Sequence, residues 1–221
     1  MSHHVCRFSR LVVSAMVVAL LMGSAGLAQV IPGFGGTDNG PGDDWTSEDA
    51  EYVRYMHQQR LKKDLATYTD AFAAVKLDEE KTLTAMEKAI SEAETNAAGN
   101  AVAAKRKRMI VQHKTIGTLM KIDYKYGRVY EAATKVKNDK VIEKKTLEKV
   151  EQLLADLKTQ VRANRERIAD LYEQVEQPRK ALAVLEGLYN GLSETERASA
   201  TTLKERINTL KKQLGIKVEE G

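Results

Sequence analysis

The side chains that most often carry catalysis or metal binding are few in this chain and lie far apart. Beyond the N-terminal region there are two histidines, His57 and His113, and neither has a second histidine, a cysteine or a paired carboxylate at a metal-binding spacing. The sequence holds no His-Glu-x-x-His, Gly-x-Ser-x-Gly or Gly-x-x-x-x-Gly-Lys motif. We therefore expect no enzymatic activity, no cofactor and no metal, and we interpret both histidines as partly exposed helix residues.

The first 28 residues follow the pattern of a secretory signal peptide. Arg7 and Arg10 precede a run of apolar and small residues from Leu11 to Met22, and small residues then lead to a cleavage position after Ala28. As a helix this run would span about 18 Å, against about 30 Å of hydrocarbon, so a cleaved leader is favoured over a retained anchor. We expect an exported protein, periplasmic or secreted.

Two consequences follow for the exported chain. Cys6 is the only cysteine and lies within the leader, so no disulfide, cysteine-based zinc site or thiol nucleophile is expected after cleavage. Residues 29–45 contain five glycines and two prolines, which predicts a flexible tether. Thr46 or Ser47 is then expected to cap the first helix.

Charge is distributed unevenly along the chain. Residues 36–100 hold 7 Lys/Arg and 14 Asp/Glu (7 − 14 = −7), whereas residues 101–149 hold 14 and 5 (14 − 5 = +9). The basic middle could face the acidic helices inside one bundle, or it could bind an acidic polymer or an anionic membrane surface. Nucleic acid is not an expected partner, because an exported protein meets little of it. The candidate contacts for an anion or a partner are Lys105, Arg106, Lys107, Arg108, Lys114 and Lys121.

Apolar residues spaced three and four apart predict long helices from Ser47 onward. The first helical stretch should run to about Lys76, and Asp78 with the two glutamates after it indicates a break or a kink near Leu77. The pattern then resumes, and Gly99 stands where a helix should end. The apolar stripe consists of Leu61, Leu65, Tyr68, Phe72, Val75, Leu83, Met86, Ile90, Ala93 and Ala97.

Two further helices are predicted, a basic one from near Ala101 and one with the regular heptads of a coiled coil. Asn164 is the one polar heptad site, and it either fixes the register or lies at a wetter part of the interface. The two helices could form one rod, but residues 138–140 favour a turn. The basic helix has its stripe at Leu119, Ile122, Tyr126, Val129, Ala133 and Val136, and the heptad sites are Leu147, Val150, Leu154, Leu157, Val161, Asn164, Ile168, Leu171 and Val175.

Pro178 predicts the turn of a helical hairpin. A proline inside a helix costs about 3 kcal/mol or more, whereas one in the first turn of a new helix costs little. The heptad frame ends at Val175, and a stripe with a different phase begins at Ala181. Ser193 is then expected to cap a last helix from about Glu194 to Leu214.

The residues around Pro178 resemble a tetratricopeptide repeat. Tyr172 is followed after nine residues by Ala181 and after four more by Leu185, and this stretch of about 34 residues has Glu176 where the family usually has a turn glycine. The resemblance implies a helical hairpin with a protein-interaction surface. Its packing residues would be Ile168, Ala169, Tyr172, Ala181 and Leu185.

Together these patterns predict an all-α protein, an elongated bundle of long coiled-coil-like helices that ends in a tetratricopeptide-like hairpin. Residues 46–137 would form the acidic and then the basic helices, and residues 138–221 the heptad helix and the hairpin. The predicted function is an exported, non-enzymatic protein-interaction or assembly module of the cell envelope, which could self-associate through the heptad stripe. The alternative is a basic periplasmic holdase-type chaperone, or a binder of anionic envelope polymers or lipid head groups.

Overall fold

The computed structural model describes residues 47–97 and 99–218. These residues form helices and no strand, so the predicted all-α fold is confirmed. The predicted signal peptide and tether lie outside the described residues. The helices are α1 (Ser47–Thr95), α2 (Ala101–Lys137), α3 (Lys144–Gln174), α4 (Pro178–Asn190), α5 (Glu194–Ser199) and α6 (Thr201–Gln213).

The three long helices pack side by side, each antiparallel to the next along the chain. Helix α1 is the longest, and its 49 residues span about 74 Å at 1.5 Å per residue. Contacts between α1 and α2 join early residues of one to late residues of the other, and the same holds for α2 and α3. The ion pairs with this order are Lys125–Asp78 and Arg108–Glu94 between α1 and α2, Lys137–Glu151 between α2 and α3, and Lys105–Glu176 between α2 and the turn that follows α3.

The heptad stripe of α3 forms the centre of the core. Val150 and Leu157 are fully buried, and they belong to one cluster with Leu119 and Ile122 of α2. Two heptad sites, Leu147 and Val161, are only half-buried. The stripe is therefore packed against other helices of the same chain.

Helix α1 runs through Leu77 without interruption, so the predicted break there is wrong. Asp78 does not cap a new helix. Its carboxylate instead accepts a hydrogen bond from the ammonium group of Lys125 at 2.8 Å. Glu79 is only 1% exposed and points into the core. Acidic residues that resemble a helix start are thus held in mid-helix by partners on neighbouring helices.

A turn separates α2 from α3, as residues 138–140 predict. Helix α2 ends at Lys137 and α3 begins at Lys144. Within the turn, Asp139 Oδ1 accepts the backbone N–H of Val141 at 2.9 Å, a local bond typical of aspartate in turns. The continuous rod, the alternative reading of the heptads, is therefore not formed.

A second turn, around Glu176, joins α3 to α4. Glu176 has a φ of 59°, the left-handed conformation that favours glycine. The N–H of Gln177 donates to Tyr172 O at 2.8 Å and the N–H of Glu176 donates to Glu173 O at 3.0 Å, a Schellman arrangement. Pro178 then lies in the first turn of α4, so the predicted turn at this proline is present.

The last predicted helix is interrupted at Ala200, which separates α5 from α6. Ser193 caps α5 as expected, in a capping box with Glu196. The hydroxyl of Ser199 donates to Glu196 O at 2.9 Å, one of the local bonds by which serine competes with a continuing helix. Helix α6 packs back on α4, where Lys211 pairs with Glu186 at 2.9 Å.

Candidate functional site

Two of the six candidate basic contacts are occupied within the chain. Lys105 Nζ lies 2.6 Å from Glu176 Oε1, and this hydrogen bond and charge lower the pKa of Glu176. Arg108 pairs with Glu94 near the end of α1. These two cations join the N-terminal end of α2 to its neighbours.

The other four candidates, Arg106, Lys107, Lys114 and Lys121, are exposed. Within the described part of the chain, none of them forms an ion pair. The acidic residues of α1 therefore neutralise only part of the positive charge of α2. The remainder is positive charge that faces solvent.

The same side of α2 exposes large apolar side chains. Val102 is 80% exposed and Tyr124 is 69% exposed, with Ile110 and Met120 between them along the helix. We call this surface the basic-apolar face. Its residues are Val102, Arg106, Lys107, Ile110, Lys114, Met120, Lys121 and Tyr124.

The opposite side of α2 holds the face in place. Leu119 and Tyr126 are fully buried and Ile122 is 1% exposed, and all three belong to the core cluster. Burial of such side chains contributes roughly 1.5–3 kcal/mol each, so α2 is a structural core helix. The outer surface of α2 therefore belongs to a helix that core packing holds in a fixed position.

Shallow grooves flank the basic-apolar face on both sides. The one between α1 and α2 has a volume of about 390 Å³ and is lined by three lysines, Lys81, Lys121 and Lys125, against one carboxylate, Asp78. The other, of about 240 Å³, lies where Met120 meets α3 and α4, beside the Asp123–Arg165 ion pair. Both grooves are open to solvent.

A buried polar cluster, which the sequence did not predict, connects the three long helices. The carboxylate of Glu79 accepts the hydroxyl of Tyr126 at 2.7 Å and the amide of Gln160 at 2.8 Å, and it pairs with Arg167. Burial, followed by the hydrogen bond to Glu79, raises the pKa of Tyr126. The cluster is satisfied within the chain and acts as a structural contact.

Asn164, on the same helix as Gln160 and Arg167, is fully buried. Its amide donates to Leu119 O on α2 at 3.2 Å, and its own oxygen has no partner among the described residues. Its burial and its bond to α2 favour a fixed register over a position at a wetter part of the interface. A fixed register between α2 and α3 is the role consistent with this bond.

The five residues of the tetratricopeptide resemblance all lie in the core, at the contact between α3 and α4. Ala169, Ala181 and Leu185 have no exposed surface. The hydroxyl of Tyr172 contacts Met120 Sδ at 3.6 Å, and Lys180 lies over the Tyr172 ring at 5.6 Å. The remaining two, Ile168 and Tyr172, are 3% and 8% exposed.

The histidines lie at contacts between elements. His57 Nε2 is 2.9 Å from Asp139 Oδ2, and the pKa of Asp139 is lowered by the N–H of Val141 and then by His57. His113 contacts the amide of Gln177 at 2.7 Å. Among the described residues, no group of three or more His, Cys, Asp or Glu side chains is arranged to hold a metal ion.

The first turns of α1 form a second exposed apolar surface, which we call the α1 end. They precede His57, which contacts Asp139 of the α2–α3 turn. This surface was not predicted from the sequence. A signal was present, because the predicted apolar stripe of α1 begins only at Leu61 and leaves the earlier apolar residues without a place in the core. Its residues are Tyr52, Val53, Tyr55 and Met56, each at least 50% exposed.

Comparison of the chain with protein-family models, with curated proteins and with solved structures gives no match. The tetratricopeptide resemblance therefore stays a prediction. None of the described helices combines the length and the apolar character needed to cross a bilayer.

Proposed function

We propose that this chain is an exported, non-enzymatic binding module of the cell envelope, and that the basic-apolar face of α2 binds an acidic partner. The observation that carries the proposal is the set of four exposed cations, Arg106, Lys107, Lys114 and Lys121, which form no ion pair among the described residues. Positive charge left unneutralised on a rigid helix attracts anions and speeds their encounter.

The charges on α1 and α2 also favour an acidic partner. Intramolecular pairs account for Lys105, Arg108, Lys125 and Lys137 of α2. Lys81 of α1 adds a further cation at the adjoining groove. The flanking grooves are open and shallow, which suits an extended partner better than a small enclosed ligand.

Charge reversal tests the proposal. The variant Arg106→Glu, Lys107→Glu, Lys114→Glu, Lys121→Glu should lose most of its affinity for two anionic probes, inorganic polyphosphate and vesicles containing phosphatidylglycerol. Wild-type affinity should also fall steeply with added salt, because binding a polyanion releases counterions. Titration of the chain starting at Gln29, followed by fluorescence anisotropy or sedimentation, measures both effects.

A matched control separates this face from net charge. Lys63→Glu, Lys149→Glu, Arg179→Glu, Lys204→Glu reverses four exposed cations on α1, α3, α4 and α6 that form no ion pair among the described residues. This variant should keep most of the wild-type affinity. Equal losses in both variants, or no binding by the wild type at low salt, would contradict the proposal.

Export is proposed from the leader pattern of residues 1–28. The exported protein should begin at Gln29, after the cut that follows Ala28. N-terminal sequencing of protein recovered from the cell envelope or medium measures this. Recovery of exported protein that still begins at Met1 would reject the cleaved leader.

A holdase-type chaperone is the second candidate, and the α1 end favours it. A holdase needs exposed apolar surface, and Tyr52, Tyr55 and Met56 provide it. If this role is correct, the chain should slow aggregation of a heat-unfolded enzyme, and Tyr52→Ser, Tyr55→Ser, Met56→Ser should remove that effect. Light scattering measures it, and an unchanged effect in the variant would reject the candidate.

A further inference from the structure

The basic-apolar face has four large exposed apolar side chains, which the binding of an acidic polymer does not require. Val102, Ile110, Met120 and Tyr124 are 80%, 61%, 52% and 69% exposed. Phosphate binding by lysine and arginine needs no such neighbours. Large apolar side chains grouped on one exposed surface indicate a partner that offers apolar contact as well as negative charge.

The two kinds of side chain are ordered around the helix. At about 100° per residue, Val102 and Met120 are five full turns apart and lie on one line, with Tyr124 about 40° and Ile110 about 80° further round. Lys121, Lys114 and Lys107 follow at about 100° to 140°, next to the groove that contains Lys81. Arg106 lies at about 40°, within this apolar ridge, and the three lysines form a row of cations beside it.

One further exposed cation, Lys180, lies on the α4 side of the ridge. Ala183 and Val184 line the cleft with Met120 and extend the apolar surface. Lys180, one residue before Ala181, is exposed there and lies 5.6 Å from the Tyr172 ring. The ridge lies between two shallow grooves, with the row of lysines on one side and Lys180 on the other.

We infer that the basic-apolar face docks on the surface of a bilayer that contains anionic phospholipid. The apolar ridge enters the boundary between head groups and acyl chains, and the flanking lysines lie at the level of the phosphates. This inference rests on the proposed function, since it names the acidic partner. A bilayer surface offers apolar contact beside negative charge, which matches exposed apolar side chains beside cations better than a polyphosphate-like strand does.

Removal of the apolar ridge tests the inference with the charges left intact. The variant Val102→Ser, Ile110→Ser, Met120→Ser, Tyr124→Ser should bind vesicles of phosphatidylglycerol and phosphatidylcholine about tenfold or more weakly than the wild type. Its affinity for inorganic polyphosphate should not change. Because all four side chains are at least half exposed, the variant should fold, which circular dichroism checks.

The matched control removes four other exposed apolar side chains, with Val53→Ser, Leu77→Ser, Val141→Ser and Ile216→Ser. It should bind vesicles as the wild type does. A tryptophan reporter adds a direct measurement: in a Trp45→Phe background, which removes the only tryptophan, Tyr124→Trp should shift its emission to the blue with vesicles and not with polyphosphate.

The outcomes separate the inference from the function on which it rests. Unchanged vesicle binding by the ridge variant, or no blue shift, overturns the bilayer and leaves an acidic polymer as the partner. No binding of the wild type to either anionic probe rejects the proposed function itself. Loss of vesicle binding alone, with the blue shift, supports the bilayer.

Discussion

Glu79 is the residue at which the three long helices meet. It is 1% exposed, and its carboxylate accepts hydrogen bonds from Tyr126 of α2 and Gln160 of α3. Arg167, the third partner, is partly exposed, so the charge of the ion pair is only half removed from water. Buried polar groups of this kind stabilise a fold when every member has a partner and weaken it when one is removed.

Replacement of Glu79 by alanine should lower the free energy of unfolding by about 3 kcal/mol, because the buried hydroxyl of Tyr126 and the amide of Gln160 lose their acceptor. Urea denaturation measures the change. The neighbouring exposed residue is the control, and Glu80→Ala should stay within about 0.5 kcal/mol of the wild type. Similar losses in both variants would mean that the cluster contributes nothing specific.

Tyr126 gives the protein a predictable response to alkaline pH. Burial and the hydrogen bond to Glu79 raise its pKa above the ordinary value of 10.0. The bound proton therefore contributes stability that is fully present below pH 10 and is lost as the pH rises through the folded-state pKa. The Tyr126→Phe variant has no hydroxyl group, so its stability lacks this contribution at every pH.

The stability difference between wild type and Tyr126→Phe should thus be largest near neutral pH and should shrink above pH 10. Urea midpoints between neutral pH and strongly alkaline pH measure it, and titration of the lysines cancels in the comparison. Tyr124→Phe, at a tyrosine that is 69% exposed, serves as the control and should follow the wild type in parallel. A constant gap for Tyr126→Phe would contradict the prediction.

At the scale of elements, the α3–α4 turn contains local strain. Glu176 has a φ of 59°, where a Cβ atom is unfavourable and glycine is not. Glu176→Gly and Glu176→Ala both remove the contact with Lys105, so their comparison isolates the backbone effect. The glycine variant should melt at the higher temperature, and equal melting temperatures would show that the turn is unstrained.

The contact between α3 and α4 depends on a small residue. Ala181 has no exposed surface and lies in the core with Ile168 and Tyr172. Ala181→Trp should lower the free energy of unfolding by about 3 kcal/mol or more, because no space exists for the ring. Ala183, on the exposed side of α4, is the control, and Ala183→Trp should be mild. Thermal melts of the two variants should therefore differ clearly.

The sequence predicted the elements best where apolar residues repeat along one helix. The stripes of α2 and α3, the turn after Lys137 and the start of α4 at Pro178 all depend on neighbours within a few residues. The false break near Leu77 had another origin. Glu79 resembles a helix-start residue locally, but its partners lie 47, 81 and 88 residues further along the chain.

The candidate site was predictable in part for the same reason. The sequence shows which residues of α2 are basic, but it does not show which are already paired. Lys105 meets a carboxylate 71 residues away and Arg108 one that is 14 residues away. The exposure of Val102 and Tyr124 also depends on which side of α2 the other helices cover, and spacing on α2 alone does not specify this.

At the scale of the whole molecule, a single core cluster includes residues of all the helices except α5. The described part of the chain should therefore unfold in one cooperative transition. Leu157 lies at the centre of this core with no exposed surface. Because the heptad stripe packs within the chain, a change there should act on folding.

Leu157→Asp should lower the free energy of unfolding by about 3–5 kcal/mol, since it removes a buried side chain and introduces a charge. Circular dichroism during heating measures the loss. The control Ala155→Asp changes an exposed position of the same helix and should be mild. If the stripe were instead an interface between copies, light scattering would show a smaller particle in the Leu157→Asp variant with little change in melting.

The core position of α2 also bears on the proposed binding of a partner by its outer face. A peptide that becomes helical only at a surface loses conformational entropy of roughly 1–2 kcal/mol per ordered residue when it binds. Helix α2 is already ordered by Leu119, Ile122 and Tyr126 on its inner side. Binding by this face, as proposed above, should therefore be a rigid-body encounter without a coil-to-helix step, with a rate that depends on diffusion and orientation.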